Sequence, residues 1–279
     1  MSLLSHDQVR ILLGPEGVAM MGLPRGQRTG VVARHAIPPA ENLMDAPPWR
    51  LALESLEAGL QTLNGKRMDA TIVLSNHFVR YELVPWSDQI SDEYEEQAFV
   101  RHSFVQTYGD DAKHWAMRLS PSDYGEKRVA SAIDQGLLDG LERVTKARGL
   151  QLVSMQPYLM TVFNRWRHRL HKSSLWFVVV EPGRLCVSQL RHGHWCSLQM
   201  AKVGDDWPET LKLMLERELL LTESGTGRGA VYVFAPGYTD YSAFADSGWT
   251  IYLLGANTGT ASNADLQFAM TASDENLPH

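Results

Sequence analysis

The stretch Trp176-Phe-Val-Val-Val-Glu-Pro-Gly-Arg-Leu-Cys-Val-Ser-Gln-Leu-Arg-His-Gly-His-Trp195 decides the fold that the sequence predicts. Apolar, mostly β-branched residues run up to Glu181, and Pro182-Gly183 supplies a turn before the next apolar run. His192-Gly193 supplies a second turn. The stretch therefore predicts an antiparallel meander of three strands, which we place at 175–180, 184–190 and 194–202.

The beginning of the chain repeats this pattern. Strands are predicted at Val9 to Leu13 and at Val18 to Leu23 around Gly14-Pro-Glu-Gly17, and a third at 31–34. A helix ending near Gly65 and a buried strand from Asp69 to Ser75 follow. The second meander is likewise followed by a helix (207–221) and by strands at 230–234 and 250–254. The sequence therefore predicts two lobes that each open with a β-meander.

A smaller α/β unit is predicted between the two lobes. It contains a helix over 91–108, short strands at 115–120 and 127–132, a helix ending at Gly149 and a strand at 151–155. We predict a first part of lobe one at 1–86, an inserted subdomain at 87–157, a connecting helix at 158–174, the second lobe at 175–254 and a flexible tail at 255–279.

Composition and charge restrict the possible functions. The chain has 279 residues, 44% hydrophobic and 21% charged, with a net charge of -6. These values are those of an ordinary globular protein and do not favour a surface devoted to nucleic acid. The two cysteines, Cys186 and Cys196, match no zinc or redox spacing, and we expect reduced thiols. No apolar run reaches the ~20 residues of a membrane helix, so no direct membrane span is predicted.

Several local motifs bear on catalytic, metal and phosphate chemistry. The glycine-rich segment 222–229 lies between a helix and a strand, whereas a phosphate loop must follow a strand and open a helix. His192 and His194 lack carboxylates at ligand spacing in the sequence, so we predict no metal site. Ser75-Asn-His77 lacks an identifiable carboxylate to orient a base, so no catalytic residue is predicted.

The basic end of the connecting helix leaves another alternative open. Residues 165–172 read Arg-Trp-Arg-His-Arg-Leu-His-Lys, and cations at a helix C-terminus are favoured by the helix dipole. We interpret the segment as a helix end. The alternative is a contact with anionic lipid or nucleic acid.

The repeated meander resembles the opening of each lobe in the actin-like ATPase (RNase H-like) fold, an α/β (α+β) class. Two further stretches are similar to the PilM and GspL cytoplasmic-domain type of that fold. They are Ile72-Val-Leu-Ser-Asn-His-Phe-Val-Arg-Tyr-Glu-Leu-Val-Pro-Trp86, and the inserted pattern that begins at Arg128-Val-Ala-Ser-Ala-Ile-Asp134.

The resemblance also implies where a nucleotide site would lie. In that fold, D-x-G hairpins contact the phosphates and hold magnesium. The corresponding residues here are Gly14 and Glu16 in the first hairpin and Glu181 and Gly183 in the second. Leu12 replaces the first carboxylate, and a proline between Glu181 and Gly183 removes an amide. We therefore expect vestigial hairpins with no cofactor. The alternative is an active ATPase or kinase that binds ATP and magnesium.

The resemblance finally implies a function. It predicts a non-enzymatic cytoplasmic scaffold of a bacterial pilus- or type II secretion-like assembly system, peripheral at the inner membrane through a partner. The expected partners are a short cytoplasmic segment of an inner-membrane assembly protein and a motor ATPase, with no nucleic acid.

Overall fold

The computed structural model describes residues 7–23, 31–36, 47–61, 68–88, 90, 92–170, 174–221, 228–238, 242–244 and 247–255. Three parts of the chain discussed above lie outside these ranges. They are the predicted tail from residue 256, residues 222–227 of the glycine-rich segment and the last two residues of the basic segment (171–172). The described residues form two five-stranded sheets and one three-stranded sheet.

The elements follow the predicted order. The strands are β1 Asp7–Gly14, β2 Gly17–Leu23, β3 Val31–Ala36, β4 Met68–Leu74, β5 Arg80–Val84, β6 Trp115–Leu119, β7 Arg128–Asp134, β8 Leu150–Pro157, β9 Ser174–Glu181, β10 Arg184–Arg191, β11 His194–Lys202, β12 Ala230–Phe234 and β13 Thr250–Leu253. The α-helices are α1 Arg50–Leu60, α2 Glu93–Tyr108, α3 Gln135–Ala147, α4 Tyr158–Trp166 and α5 Trp207–Leu221.

The two larger sheets have the same layout. The first has the order β3-β2-β1-β4-β8 and the second has the order β11-β10-β9-β12-β13. In each, three antiparallel strands form a meander, and two parallel strands are added beside the first strand of that meander. The prediction of two lobes that each open with a β-meander is thereby confirmed.

The cysteine pair lies in the second sheet. Strand β10 pairs Cys186 with Met200 rather than with Cys196. Both thiols are free; that of Cys186 is buried and that of Cys196 is half-buried. Burial raises the pKa of both thiols.

The inserted unit has different boundaries from those predicted. Strand β5 pairs with β7, and β7 pairs with β6, so the three-stranded sheet begins at Arg80 rather than after residue 86. Strand β8 pairs with β4, so the chain has returned to the first lobe before residue 157. We define the inserted unit as Arg80–Asp134; its core includes Val84, Val100, Phe104, Ala112, Ala130 and Ala132.

The connecting helix is shorter than predicted. Helix α4 ends at Trp166, and Arg167–Arg169 form a 3-10 turn. A tighter last turn is common at helix ends because the final carbonyl groups lack α-helical partners. The inner face of α4 is buried, with Leu159 and Val162 in the main core.

None of the helices in the described ranges is both long enough and apolar enough for a bilayer crossing.

Candidate functional site

Both predicted hairpins reach the end of strand β4, where the chain reads Ser75-Asn76-His77. On the first-lobe side, the backbone N–H of Ser75 donates to the Leu13 carbonyl at 2.9 Å. On the second-lobe side, the backbone N–H of Asn76 donates to Glu181 Oε2, also at 2.9 Å. The segment 75–77 is therefore one place at which the two lobes are in contact.

Asn76 joins four elements at this point. Its Oδ1 accepts a hydrogen bond of 2.6 Å from the Tyr81 hydroxyl and one of 3.1 Å from the backbone N–H of Leu159. The second bond satisfies an N–H group in the first turn of α4, where Pro157 makes no side-chain cap. Asn76 is fully buried. Through its side-chain oxygen and its backbone N–H, Asn76 therefore links β4, β5, α4 and the second-lobe hairpin.

Glu181 ends β9 and is 7% exposed. Burial, which disfavours the charged carboxylate, raises the pKa of Glu181 to about 7. Hydrogen bonds from Ser75 and Asn76 and the positive charge of Arg184 lower this pKa but do not outweigh burial. At neutral pH the side chain therefore titrates inside the lobe contact instead of presenting a permanent negative charge to solvent.

Gly183 and His77 form the second contact between the hairpin and the first lobe. His77 Nε2 lies 2.8 Å from the Pro182 carbonyl oxygen; since a carbonyl only accepts, Nε2 carries the hydrogen. Gly183 has φ +76°, a conformation that strains other residues. A Cβ there would lie 3.3 Å from His77 Cε1. The turn therefore favours glycine at this position, and a Cβ there would require the His77 ring to shift.

The first-lobe hairpin approaches the same segment. A Cβ at Gly14 would lie 3.9 Å from that of Ser75. Glu16 is exposed in the turn, and its charge raises the pKa of His77, although burial lowers it overall. Leu12, at the position of the missing carboxylate, is buried in the main core. The structure thus brings all four predicted site residues to one place, with Glu16 in solvent and Glu181 buried.

Ser75 and His77 do not form a nucleophile–base pair. The Ser75 hydroxyl accepts from the backbone N–H of His77 at 3.2 Å, while the imidazole Nε2 is bonded to Pro182. Ser75 is also buried. Activation of a serine requires an imidazole nitrogen in contact with its hydroxyl, and the ring nitrogen that is hydrogen-bonded here serves the lobe contact instead.

Two of these residues are hard to find from the sequence. Asn76 stands out there only as part of a possible nucleophile motif, and Tyr81 only as part of an extended strand. Their roles depend on contacts with partners 5 to 105 residues away in sequence. The only sequence signal is a polar residue directly after an apolar strand. If the fold buries such a residue, it needs a hydrogen-bond partner there.

A second feature lies between the inserted unit and α4, and we call it the α4 groove. It has a volume of about 1110 Å³. One wall is formed by β6 and β7, including Arg118 and Ser131, and the other by residues 157–169. Trp195 of β11 also lines it. The groove contains most of the basic segment that the sequence indicated, namely Arg165 to Arg169.

Comparisons with known proteins show the fold. No protein-family model matches the sequence, and no curated protein matches it. Among solved structures, the chain is similar to the PilM–PilN type IV pilus biogenesis complex, with TM-score 0.64 and 15% identity over 95% of this chain and 96% of that one.

Two other solved structures match nearly the whole chain in the same way. One is a Bacteroides thetaiotaomicron protein with an actin-like ATPase fold and unknown function, with TM-score 0.60, 9% identity and 96% of each chain covered. The other is the cytoplasmic domain of EpsL, an inner-membrane component of the Vibrio cholerae type II secretion system, with TM-score 0.56 and 8% identity over 97% of this chain and 96% of that one.

The duplicated meander sheets, the hairpins that meet between them and these similarities define an actin-like ATPase fold. This is the fold that the sequence resemblance predicted, and within it the chain is structurally similar to the PilM–PilN complex and to the EpsL cytoplasmic domain.

Proposed function

We propose that this protein is a non-enzymatic scaffold of a bacterial pilus- or type II secretion-like assembly system. In this role it stays in the cytoplasm, is held peripherally at the inner membrane, and links a short segment of an inner-membrane partner to the assembly machinery, including a motor ATPase. The similarity to PilM bound to PilN and to the EpsL cytoplasmic domain supports this class of role.

One observation carries the non-enzymatic part of the proposal: Glu181 is used to hold the lobes together. A metal–phosphate site needs ionised carboxylates and free backbone amides that point at the ligand. Here the second-lobe carboxyl group is buried and accepts a hydrogen bond from Asn76 of the first lobe. Pro182 has no N–H, and Leu12 has no carboxylate. These residues do not fit a magnesium nucleotide.

Isothermal calorimetry with ATP and magnesium tests this part. We expect no heat up to millimolar nucleotide and no shift in thermal unfolding, with an ATP-binding actin-like protein as the positive control. A dissociation constant in the micromolar range that is lost in Glu181→Ala would overturn the proposal and establish the ATPase or kinase alternative.

The partner role is tested separately by photo-crosslinking in cells. A photoreactive amino acid in place of Asn164, an exposed residue of the α4 groove, should give an adduct with an integral inner-membrane protein. The same replacement at Glu57, which is exposed on α1, is the control. Equal adducts at both positions, or adducts with soluble proteins alone, would contradict the proposed role.

A further inference from the structure

The α4 groove carries a concentration of positive charge. The whole chain has a net charge of -6. Among the described residues that line the groove, the ionisable side chains are four arginines and one histidine, and none is Asp or Glu: Arg118, Arg165, Arg167, His168 and Arg169. An acidic protein that lines one cavity with four arginines and without a carboxylate among the described lining residues presents a local site for negative charge.

The arginines come from both sides of the groove. Arg118 lies on β6 of the inserted unit, and the other three lie on the last turn of α4 and the 3-10 turn after it. Arg165 and Arg169 lie over the Trp166 ring, with 5.5 Å and 4.9 Å between guanidinium carbon and ring centroid. This packing holds two guanidinium groups in place. An occupant would therefore meet cations that come from two different elements of the groove lining.

Apart from Ser120, Ser131 and Asn164, the remaining lining is apolar and aromatic. Met160, Phe163 and Trp195 lie in it, with 4.6 Å between the Phe163 and Trp195 ring centroids. Burial of an occupant's apolar side chains against this lining would favour binding, because it removes apolar surface from water. The volume of about 1110 Å³ also exceeds the roughly 300–1,000 Å³ of typical small-ligand pockets. The groove is therefore suited to a short peptide with acidic and apolar residues.

We propose that the α4 groove binds an acidic segment of a partner protein, whose carboxylates pair with the arginines and whose apolar side chains contact the partly exposed Met160 and Phe163. The inference rests on the proposed function, since it assigns a chemistry to the partner segment. A flat membrane surface does not enter a groove of this shape. Nucleic acid needs exposed aromatic faces for base stacking, whereas Trp195 is 7% exposed and packs on Phe163.

Selection from a display library of random 12-residue peptides tests the inference, because it does not require the natural partner to be identified. The wild-type protein should enrich peptides rich in Asp and Glu with interspersed apolar residues. The variant Arg118→Glu/Arg167→Glu removes one exposed cation from each wall. It should fail to enrich them. The control Arg143→Glu/Arg148→Glu makes the same charge change at exposed positions of and beside α3 and should select as the wild type does.

Calorimetry with one enriched peptide then measures the effect. The groove variant should weaken binding by roughly tenfold to a hundredfold, the range for loss of charge-assisted hydrogen bonds. Replacing the peptide's Asp and Glu by Asn and Gln should have a similar effect. The control variant should stay within about twofold of the wild type, because screening weakens distant exposed charges.

The outcomes separate this inference from the proposed function. Enrichment of groove-dependent peptides without acidic residues would overturn the acidic chemistry and leave the docking role standing. Enrichment that does not depend on the groove, or none at all, would overturn the groove as the docking site for a partner segment. Tighter binding of a single-stranded oligonucleotide or of anionic phospholipid vesicles, lost in the groove variant, would assign the site to nucleic acid or membrane instead.

Discussion

Glu181 should make the stability of this protein fall as the pH rises through neutrality. Its pKa is raised on folding, from the ordinary 4.5 to about 7, by burial. The folded state therefore binds a proton that the unfolded state has released between these two values, and unfolding becomes easier as the pH increases. The stabilisation is fully present below about pH 4.5 and is lost above about pH 7.

The size of the effect follows from the same two pKa values. At about 1.4 kcal/mol per pKa unit, the shift corresponds to about 3 kcal/mol in the free energy of unfolding. Roughly 2–3 kcal/mol of this stabilisation is lost between about pH 5 and pH 8, since the loss occurs mainly between the unfolded and folded pKa values. Such a loss is a large fraction of the about 5–15 kcal/mol by which proteins are stable.

The isosteric variant Glu181→Gln isolates this contribution. Glutamine keeps an oxygen that can accept the hydrogen bond from Asn76, but it does not titrate. Urea unfolding of both proteins at about pH 5, 6.5 and 8 gives the difference in free energy at each pH. All other titrating groups are shared, so their contributions cancel. From pH 5 to pH 8, the free energy of unfolding of Glu181→Gln should rise by about 2–3 kcal/mol relative to that of the wild type.

Glu57→Gln, which removes an exposed carboxylate from α1, is the matched control. The reasoning is refuted if the difference between Glu181→Gln and the wild type stays constant within about 0.5 kcal/mol over this range, or if the variant loses stability as the pH rises. Either result would mean that Glu181 is ionised in the folded protein without a burial cost.

Two further predictions concern the hairpins of the second lobe. Gly183→Ala should lower the free energy of unfolding by about 1–2 kcal/mol, because the φ of Gly183 is +76° and a Cβ would lie 3.3 Å from the ring of His77. Urea unfolding measures this change. The control is Gly22→Ala, since a Cβ at Gly22 would meet nothing within 4 Å. In the folded protein, iodoacetamide followed by mass spectrometry should label the half-buried Cys196 before the buried Cys186. Equal labelling rates below the unfolding transition would contradict the second prediction.

The sequence predicted the architecture because the relevant signals are local. Apolar alternation and Pro-Gly or His-Gly turns specify hairpins wherever they occur, and β1 to β3 and β9 to β11 repeat them in both halves. Helices α1 and α5 were predicted from leucines at helical spacing. The prediction of vestigial phosphate hairpins at Gly14, Glu16, Glu181 and Gly183 rests on the same turn signals, through the resemblance of the two turns.

The boundaries of the inserted unit were predicted less well because strand pairing is not local. Strand β5 follows β4 after a short turn, so sequence order assigned it to the first lobe. Its backbone instead pairs with β7 of the inserted unit, and Val84 joins the core of that unit, although Tyr81 stays in the main core. Strand β8 was assigned to the inserted unit, yet it pairs with β4 across more than 70 residues of chain.

The sequence by itself determined the two meanders, the missing carboxylate at Leu12 and the proline in the second turn. Only the tertiary structure decided that Glu181 is buried against Asn76, since burial depends on which lobe surfaces meet and not on neighbours in the chain. It also decided that Arg118, Arg167 and Trp195 line one groove. The physical reason is that desolvation and charge clustering depend on distances in space, which residues far apart in sequence acquire only on folding.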